Sequence, residues 1–464
     1  SKLLFIPILA LVLSACSTRE LNTKVSHATG WNYFDEKTTN FQAYADIDAG
    51  IPTGMVAIEG GTFTIGERDE FITAPRNNFT RTLTVSSFYM DKYEITNMDW
   101  NEYLHWMDVV FNQVAPELIT KALPDTTVWR EEMAYNEPYL GYYFRHPAYS
   151  FYPVVGVSWS QAMTYCQWRT DRVNELALIS IGAMAPTDYA QLAPNNRLME
   201  EDREAWETEN PPYQLVEVEV PDEFNPGATR IELMLPYEYV RDKVVFNTEK
   251  YLYLDEYIPE YGRHPKLDTY GAELKVNSGD CVLVIGYRLP TEAEWEFAAR
   301  GAGLTEQDWN CEYPGSDNYK KVAWSIMNSA GYSDDYLITR THEVGSRQPN
   351  VLGIYDLAGN ASEWCFDFWN CKQPGYESEI PEGDTYRYIN PVNQSGIFTN
   401  PVVDESSYKS RVVRGGNYDC EPSKIANSFR FFEYQYCCAN DSSSSQTKIG
   451  IRLVRRDSGV LSRI

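Results

Sequence analysis

The chain is poor in histidine, poor in positive charge and, beyond its first residues, without long apolar runs. Its five histidines, His27, His105, His146, His264 and His342, are scattered through 464 residues and show no metal-ligand spacing. No phosphate-binding glycine loop, zinc signature or catalytic-triad motif is present either. Lysine and arginine number 40 against 66 aspartates and glutamates, a formal charge of -26. That balance disfavours nucleic acid and anionic lipid, suits a basic protein partner, and also serves plain solubility. With 43% hydrophobic residues the chain reads as globular, large enough for one big domain or two.

The one sustained apolar run lies at the start. Lys2 precedes Leu3 to Leu13, and the run ends in Leu13-Ser14-Ala15-Cys16. It is too short to span a bilayer, and a charged residue, a short apolar stretch and small residues before a cleavage point describe a secretory signal over 1–15. The Leu-Ser-Ala-Cys string resembles the bacterial lipobox, which implies an acylated Cys16 and, with no acidic residue directly after it, an outer-membrane location facing the periplasm. Residues 16–54 then read as a lipidated tether. Trp31, Tyr33, Phe34, Phe41 and Tyr44 make it more aromatic than a free tether needs, so its second half is expected to dock. Eight further cysteines would sit where disulfides are permitted. Cys365 with Cys371, and Cys420 with Cys437 or Cys438, are candidate pairs, and connectivity is not fixed by sequence.

Local signals are strongest at Tyr287 to Gly301. Thr291 and Glu294 form a capping box after Pro290, Trp295, Ala298 and Ala299 fall on one face, and Arg300 and Gly301 mark the end. A buried strand is expected from Cys281. Upstream, Met55 to Gly66 alternates around Gly60-Gly61 as a hairpin would. A helix capped near Thr96 or Asn97 follows, then a strand over Pro153 to Val157 and a helix capped by Ser160 carrying Ala162, Tyr165, Cys166 and Val173. A charged, Tyr- and Pro-rich insertion over 174–280, with apolar runs at Leu176 to Ile181 and Ile231 to Val240, is too long for a bare loop and reads as a subdomain or partner arm. It separates core halves at 55–173 and 281–456; 457–464 form a tail.

The string RLPTEAEWEFAARG closely resembles the central motif of the formylglycine-generating-enzyme, or sulfatase-modifying-factor, family. The resemblance implies an α+β, C-type-lectin-like fold with much irregular structure, here carrying the insertion. The lipobox, YFRHPAY, YPVVGVSW, WRTDRVNE and the place of the insertion resemble, more narrowly, the PorK/GldK-type ring lipoproteins of type IX secretion and gliding motility. That narrower resemblance implies self-assembly into a large ring, a PorN/GldN-type periplasmic ring partner and an outer-membrane PorG-type protein.

Asp356 and Glu363 flank a Gly359-Asn360-Ala361 turn, an oxygen-only set of the kind a hard cation prefers. The family resemblance implies a structural calcium held by the side chains of Asp356 and Glu363 and the carbonyls of Gly359 and Ala361; the same carboxylates equally suit turn caps that accept backbone amides. Active members of the family bind copper(I) through two cysteine thiolates. Cys420 stands in the first place, Ile425 in the second, and Asn417 where a serine is usual, so no copper and no oxidase activity are expected. Two classes therefore stand, a non-enzymatic ring scaffold and an oxidase or transferase with an altered centre. A calcium-dependent carbohydrate binder rests on fold analogy alone.

Overall fold

The structure, a computed structural model, describes residues 25–26, 28–32, 54–66, 80–130, 137–186, 197–198, 202–211, 213–221, 229–253, 276, 283, 286–333, 336–369, 410–434 and 448–456. Four strands open the core: β1 (Met55–Ile58), β2 (Gly61–Ile65), β3 (Arg81–Val85) and β4 (Phe88–Asp91). β1 pairs with β4 and β2 with β3 in one continuous antiparallel register, from Met55 opposite Asp91 to Ile65 opposite Arg81. Gly60-Gly61 is therefore not the hairpin turn that alternation suggested. The glycine serves a close approach: a Cβ on Gly60 would lie 2.5 Å from the backbone of Val85 and Ser87, and its amide donates to Ser87 Oγ.

Helix α1 (Asn97–Phe111) starts at Thr96, whose hydroxyl accepts from the Asp99 amide while the Asp99 carboxylate accepts from the Thr96 amide. Helix α2 (Trp159–Ser180) is capped by Ser158 rather than Ser160, because Gln161 completes a box with Ser158. The expected strand over Pro153 to Val157 is reduced to a bridge between Pro153 and Thr96. Gly156, at φ 78°, turns the chain there, and any side chain on it would strike the Asp125 carbonyl. The two helices interlock through Trp100 stacked on Tyr165, with Tyr103 edge-on to both.

Helix α2 also runs unbroken through position 174, so the insertion departs at its end, and the apolar run from Leu176 is its last turns. Within the insertion are β5 (Arg197–Leu198), helix α3 (Arg203–Glu209), β6 (Val216–Pro221), β7 (Thr229–Met234) and helix α4 (Thr248–Tyr253), with sheet order β5-β7-β6. Leu215, Leu233, Leu235, Tyr239 and Val244 join one apolar cluster with Trp100, Tyr103, Trp106 and Val110 of α1. At roughly 1.5–3 kcal/mol per fully buried large apolar side chain, this shared core binds the insertion root firmly to the body.

Of the strand expected from Cys281, only Tyr287 lies in one, β8 (Tyr287–Arg288); Leu283 and Gly286 are not strand, and the other expected residues, Cys281 among them, lie outside the described residues. Helix α5 (Glu292–Ala299) follows, capped by the Thr291–Glu294 box and ended by Gly301 at φ 70°. Next come a small ladder of β9 (Gly331–Ser333) and β10 (Tyr336–Ile338), then β11 (Ser362–Phe368), β12 (Ser410–Arg414), β13 (Phe431–Tyr434), β14 (Ile449–Gly450) and β15 (Val454–Arg456). Two four-stranded sheets result, β1-β4-β15-β8 and β13-β12-β11-β14. Helix α5 packs against β2, β3, β11 and β12 and is buried on every side, not on the single face its pattern implied. Its three glutamates tolerate this because each meets arginine: Glu292 pairs with Arg430 at 2.7 Å, Glu294 with Arg288 at 2.6 Å, and Glu296 with Arg300 at 3.0 Å and with Arg414.

Cys365 and Cys420 carry free thiols, and their candidate partners Cys371, Cys437 and Cys438 lie outside the described residues. Of the tether, the second half, expected to dock, lies but for Gly54 outside the described residues, and Val25–Asn32 is docked. It closes on itself by a Val25–Asn32 bridge and buries Ala28 and Trp31. Cys16, Tyr33, Phe34, Phe41, Tyr44 and the tail 457–464 fall outside the described residues.

Candidate functional site

The turn before β11 is built from backbone that a chain rarely adopts. Asp356, Gly359 and Asn360 all have positive φ, at 56°, 72° and 61°. Gly359 admits no side chain, since a Cβ would sit 1.9 Å from the Trp324 carbonyl oxygen. The turn is pinned by Gly359 N donating to Gly415 O at 2.9 Å, Asn360 N to Trp324 O at 3.0 Å, and Tyr418 N to Asn360 O at 3.0 Å. Asn360 also accepts from the His342 amide through Oδ1 and donates through Nδ2 to Glu94 Oε2, while Ala361 N donates to Glu94 Oε1.

All four residues expected to surround a calcium ion thus lie on one turn and the first residues of a strand, and Asp356, Ala361 and Glu363 are buried. Asp356 Oδ2 accepts from the Gly345 amide. Glu363 Oε1 accepts from Arg452 Nε at 2.9 Å and Nη2 at 2.7 Å, and Oε2 from Trp295 Nε1 at 2.7 Å. Burial, then the neighbouring charges of Asp356 and Glu363, push the Glu94 carboxyl well above the usual carboxylate range, with Arg452 opposing. The group fits a hard cation in donor type and in its surplus of buried carboxylate over guanidinium. Glu363 would share its charge between such an ion and Arg452. Among the described residues, no group of three or more His, Cys, Asp or Glu side chains gathers as a metal cluster, so backbone carbonyls would have to complete the set.

Beside this turn lies the segment after β12. Gly415 and Gly416, at φ 85° and 62°, swing the chain across Trp295 and Ile425, where Cβ atoms would crowd Leu357 O, Trp295 and Lys424 O. Cys420 is thereby placed with its Sγ on Asn417 Oδ1 at 3.5 Å and its carbonyl accepting from Ile326 N at 3.1 Å. Burial pushes the Cys420 thiol up, with the Asn417 backbone contact and the charges of Lys424 and Lys448 opposing. Ile425, in the place expected of a second thiolate, is fully buried among Tyr313, Val322, Ala323, Ala358 and Ala426. An aliphatic side chain in an apolar cluster supplies neither a ligand nor room for one.

Two participants escaped the sequence. Glu94, in the strand-to-helix passage, caps the turn from 266 residues away and carries no local signal. Arg452 did leave one: a lone arginine inside Ile449 to Val454 needs a buried counter-charge, and Glu363 provides it.

The chain is similar in sequence to known proteins. A model of the sulfatase-modifying factor enzyme 1-like domain matches residues 45–457. The chaperone protein LppX of Paenibacillus barcinonensis is 34% identical over 131 residues, covering 26% of this chain and 44% of LppX. The formylglycine-generating enzyme of Thermomonospora curvata is 32% identical over 164 residues, covering 35% of this chain and 48% of the enzyme. The chain thus spans under half the length of these relatives. PvdO from Pseudomonas aeruginosa superposes with a TM-score of 0.40 at 17% identity, covering 87% of this chain and 94% of PvdO. A match running through both core halves and the insertion places the chain in the sulfatase-modifying factor enzyme 1-like, or formylglycine-generating-enzyme, family.

Proposed function

We propose that this member is a non-enzymatic scaffold: a PorK/GldK-type lipoprotein, anchored through Cys16 to the periplasmic face of the outer membrane, that forms a ring of copies with a PorN/GldN-type partner and a PorG-type outer-membrane protein in type IX secretion and gliding motility. The observation that carries the non-enzymatic part is Ile425, fully buried in an apolar cluster where a second copper-binding thiolate would stand. The insertion supports an assembly role, since it is rooted in the core and rich in carboxylate, including Glu204, Glu207 and Glu209 of α3. A relative that bears the name of a chaperone is in keeping with a protein-binding use of the fold. Calcium at Asp356, Gly359, Ala361 and Glu363 would be structural, tying the Trp324, Gly415 and β11 segments together.

Other relatives bear the name formylglycine-generating enzyme, so an oxidase with an altered centre is the competing reading. One experiment separates the two. The protein purified with its partners is imaged in negative stain and, in parallel, given a cysteine peptide with copper and oxygen. Rings without formylglycine support the scaffold; copper-dependent formylglycine overturns it.

A further inference from the structure

The N-terminal segment is held by side chains, not merely laid on a surface. Ser26 Oγ donates to Glu102 Oε2, and Thr29 Oγ1 donates to Glu102 Oε1 at 2.9 Å, so both oxygens of a buried carboxylate on α1 take hydroxyls from this segment. Arg169 Nε of α2 donates to Ala28 O at 2.8 Å while its two terminal nitrogens hold Asp91 of β4 at 2.7 and 3.0 Å. One guanidinium thereby joins the segment, α2 and the first sheet. Trp31 Nε1 donates to the Arg172 carbonyl at 2.9 Å, and a Cβ on Gly30 would lie 3.0 Å from Leu176.

The same two turns of α2 hold the root of the insertion. Arg172 Nη2 donates to Phe246 O at 3.2 Å, its guanidinium lies over Trp106 at 4.6 Å, and its Nη1 pairs with Glu175. Asp171 Oδ1 accepts from the Thr248 amide at 2.9 Å, and Asn174 Nδ2 donates to Thr248 Oγ1 at 3.1 Å. Residues 169–174 are thus gripped from both sides, by 26–31 and by 246–248. These contacts are buried and directional, so loss of one set leaves polar groups of α2 to find new partners.

We infer that Val25–Asn32 is a clasp which, through helix α2, couples the N-terminal segment to the root of the insertion, so that withdrawing one loosens the other. The inference rests on these contacts alone and holds whether or not Cys16 carries lipid. In the proposed assembly, load on the anchor segment would be delivered through α2 to the insertion as well as, through Arg169 and Asp91, to the first sheet. Coupling of this kind is reciprocal.

Amide hydrogen exchange on the full chain tests it. Replacing Ser26 and Thr29 together by Ala should speed exchange at Thr248, Lys250 and Tyr251 about tenfold, equivalent to ~1.4 kcal/mol of local opening, with α5 unchanged. Trp31→Phe, which removes the Nε1 hydrogen bond and keeps a smaller aromatic ring, should do the same to a smaller degree if the double variant fails to fold. Asn174→Ala should in turn speed exchange at Ser26 and Gly30 by a similar factor. Faster exchange within 26–32 with Thr248 unmoved, or equal acceleration in α5, overturns the clasp.

Discussion

Glu296→Ala tests the central claim about α5, that its charge is matched in the interior. The Glu296 carboxylate accepts from Arg300 Nε and Gly66 N through Oε1, both at 3.0 Å, and from Arg414 Nη2 through Oε2. Without it, Arg414 keeps the carbonyls of Asn427, Ser428 and Phe429, and Arg300 keeps Gly66 O and Trp309 O. Hydrogen bonding largely survives, so the cost comes from two guanidiniums left buried without that counter-charge, about 3–5 kcal/mol. Arg203→Gln is the internal control: its pairs with Glu207 and Glu217 are partly exposed and screened by solvent, and their loss should cost far less. Urea unfolding followed by circular dichroism gives both values as midpoint shifts at constant slope. A loss for Glu296→Ala no greater than for Arg203→Gln would refute the reasoning. The pH dependence adds a signature. Burial raises the Glu296 carboxyl, but Arg414 and then Arg300 outweigh it and hold the group below its ordinary 4.5. Its stabilisation is therefore full above 4.5 and lost as pH falls through the lower folded value, and Glu296→Gln should remove that part of the acid limb.

Burial pushes the Asp171 carboxyl up to about 6, against the lowering effects of Arg172 and Thr248. A carboxyl raised in the fold contributes stability below its ordinary 3.8 that is lost as pH rises through about 6, so Asp171→Asn should gain on the wild type between pH 4 and 7.5 in melting curves. Chelator should lower the melting temperature, and Asp356→Ala should abolish the difference; identical curves in both forms, with no calcium by elemental analysis, would leave Asp356 and Glu363 as turn caps alone. Gly359→Ala should give little folded protein with or without calcium, because its Cβ would meet the Trp324 carbonyl; a normal circular dichroism melt would contradict the turn. Cys16→Ser should move the chain out of the outer-membrane fraction, and normal retention without partners would dispose of the lipid anchor.

Legibility followed the reach of each interaction. The Thr96 and Thr291 caps and the Gly301 stop were readable because both partners lie within a few residues. Ser158 could have been read too, since Ser158 and Gln161 have capping-box spacing and Ser160 has no matching partner. Gly60-Gly61 misled because a glycine demanded by a neighbouring strand looks in sequence like one demanded by a turn. The glutamates of α5 suggested a solvent face, for nothing local reveals that Arg414 and Arg430 arrive from beyond residue 410. The turn at Asp356 to Glu363 was legible as an acidic loop, whereas Glu94 left no local signal; Arg452 left one, as a lone arginine in an apolar segment. The docked tether was half visible: Trp31 signalled burial, but Glu102, Arg169 and Arg172 of two distant helices chose where it lands.

The position of β15 bears on how this chain comes to be folded at all. Val454–Arg456 lies in the interior of its sheet, between β4 from near residue 90 and β8 from near residue 287. Two of the guanidiniums that neutralise α5, Arg414 and Arg430, also come late in the chain. During synthesis, therefore, Glu292 waits for Arg430, Glu296, already beside Arg300, waits for Arg414, and the first sheet stays open until β15 has been made. Folding dominated by such distant pairings is slow and exposes unpaired strand edges meanwhile. A nascent chain of this design needs protection until its final strand is inserted, and loss of even the last few strand residues should cost the whole first sheet.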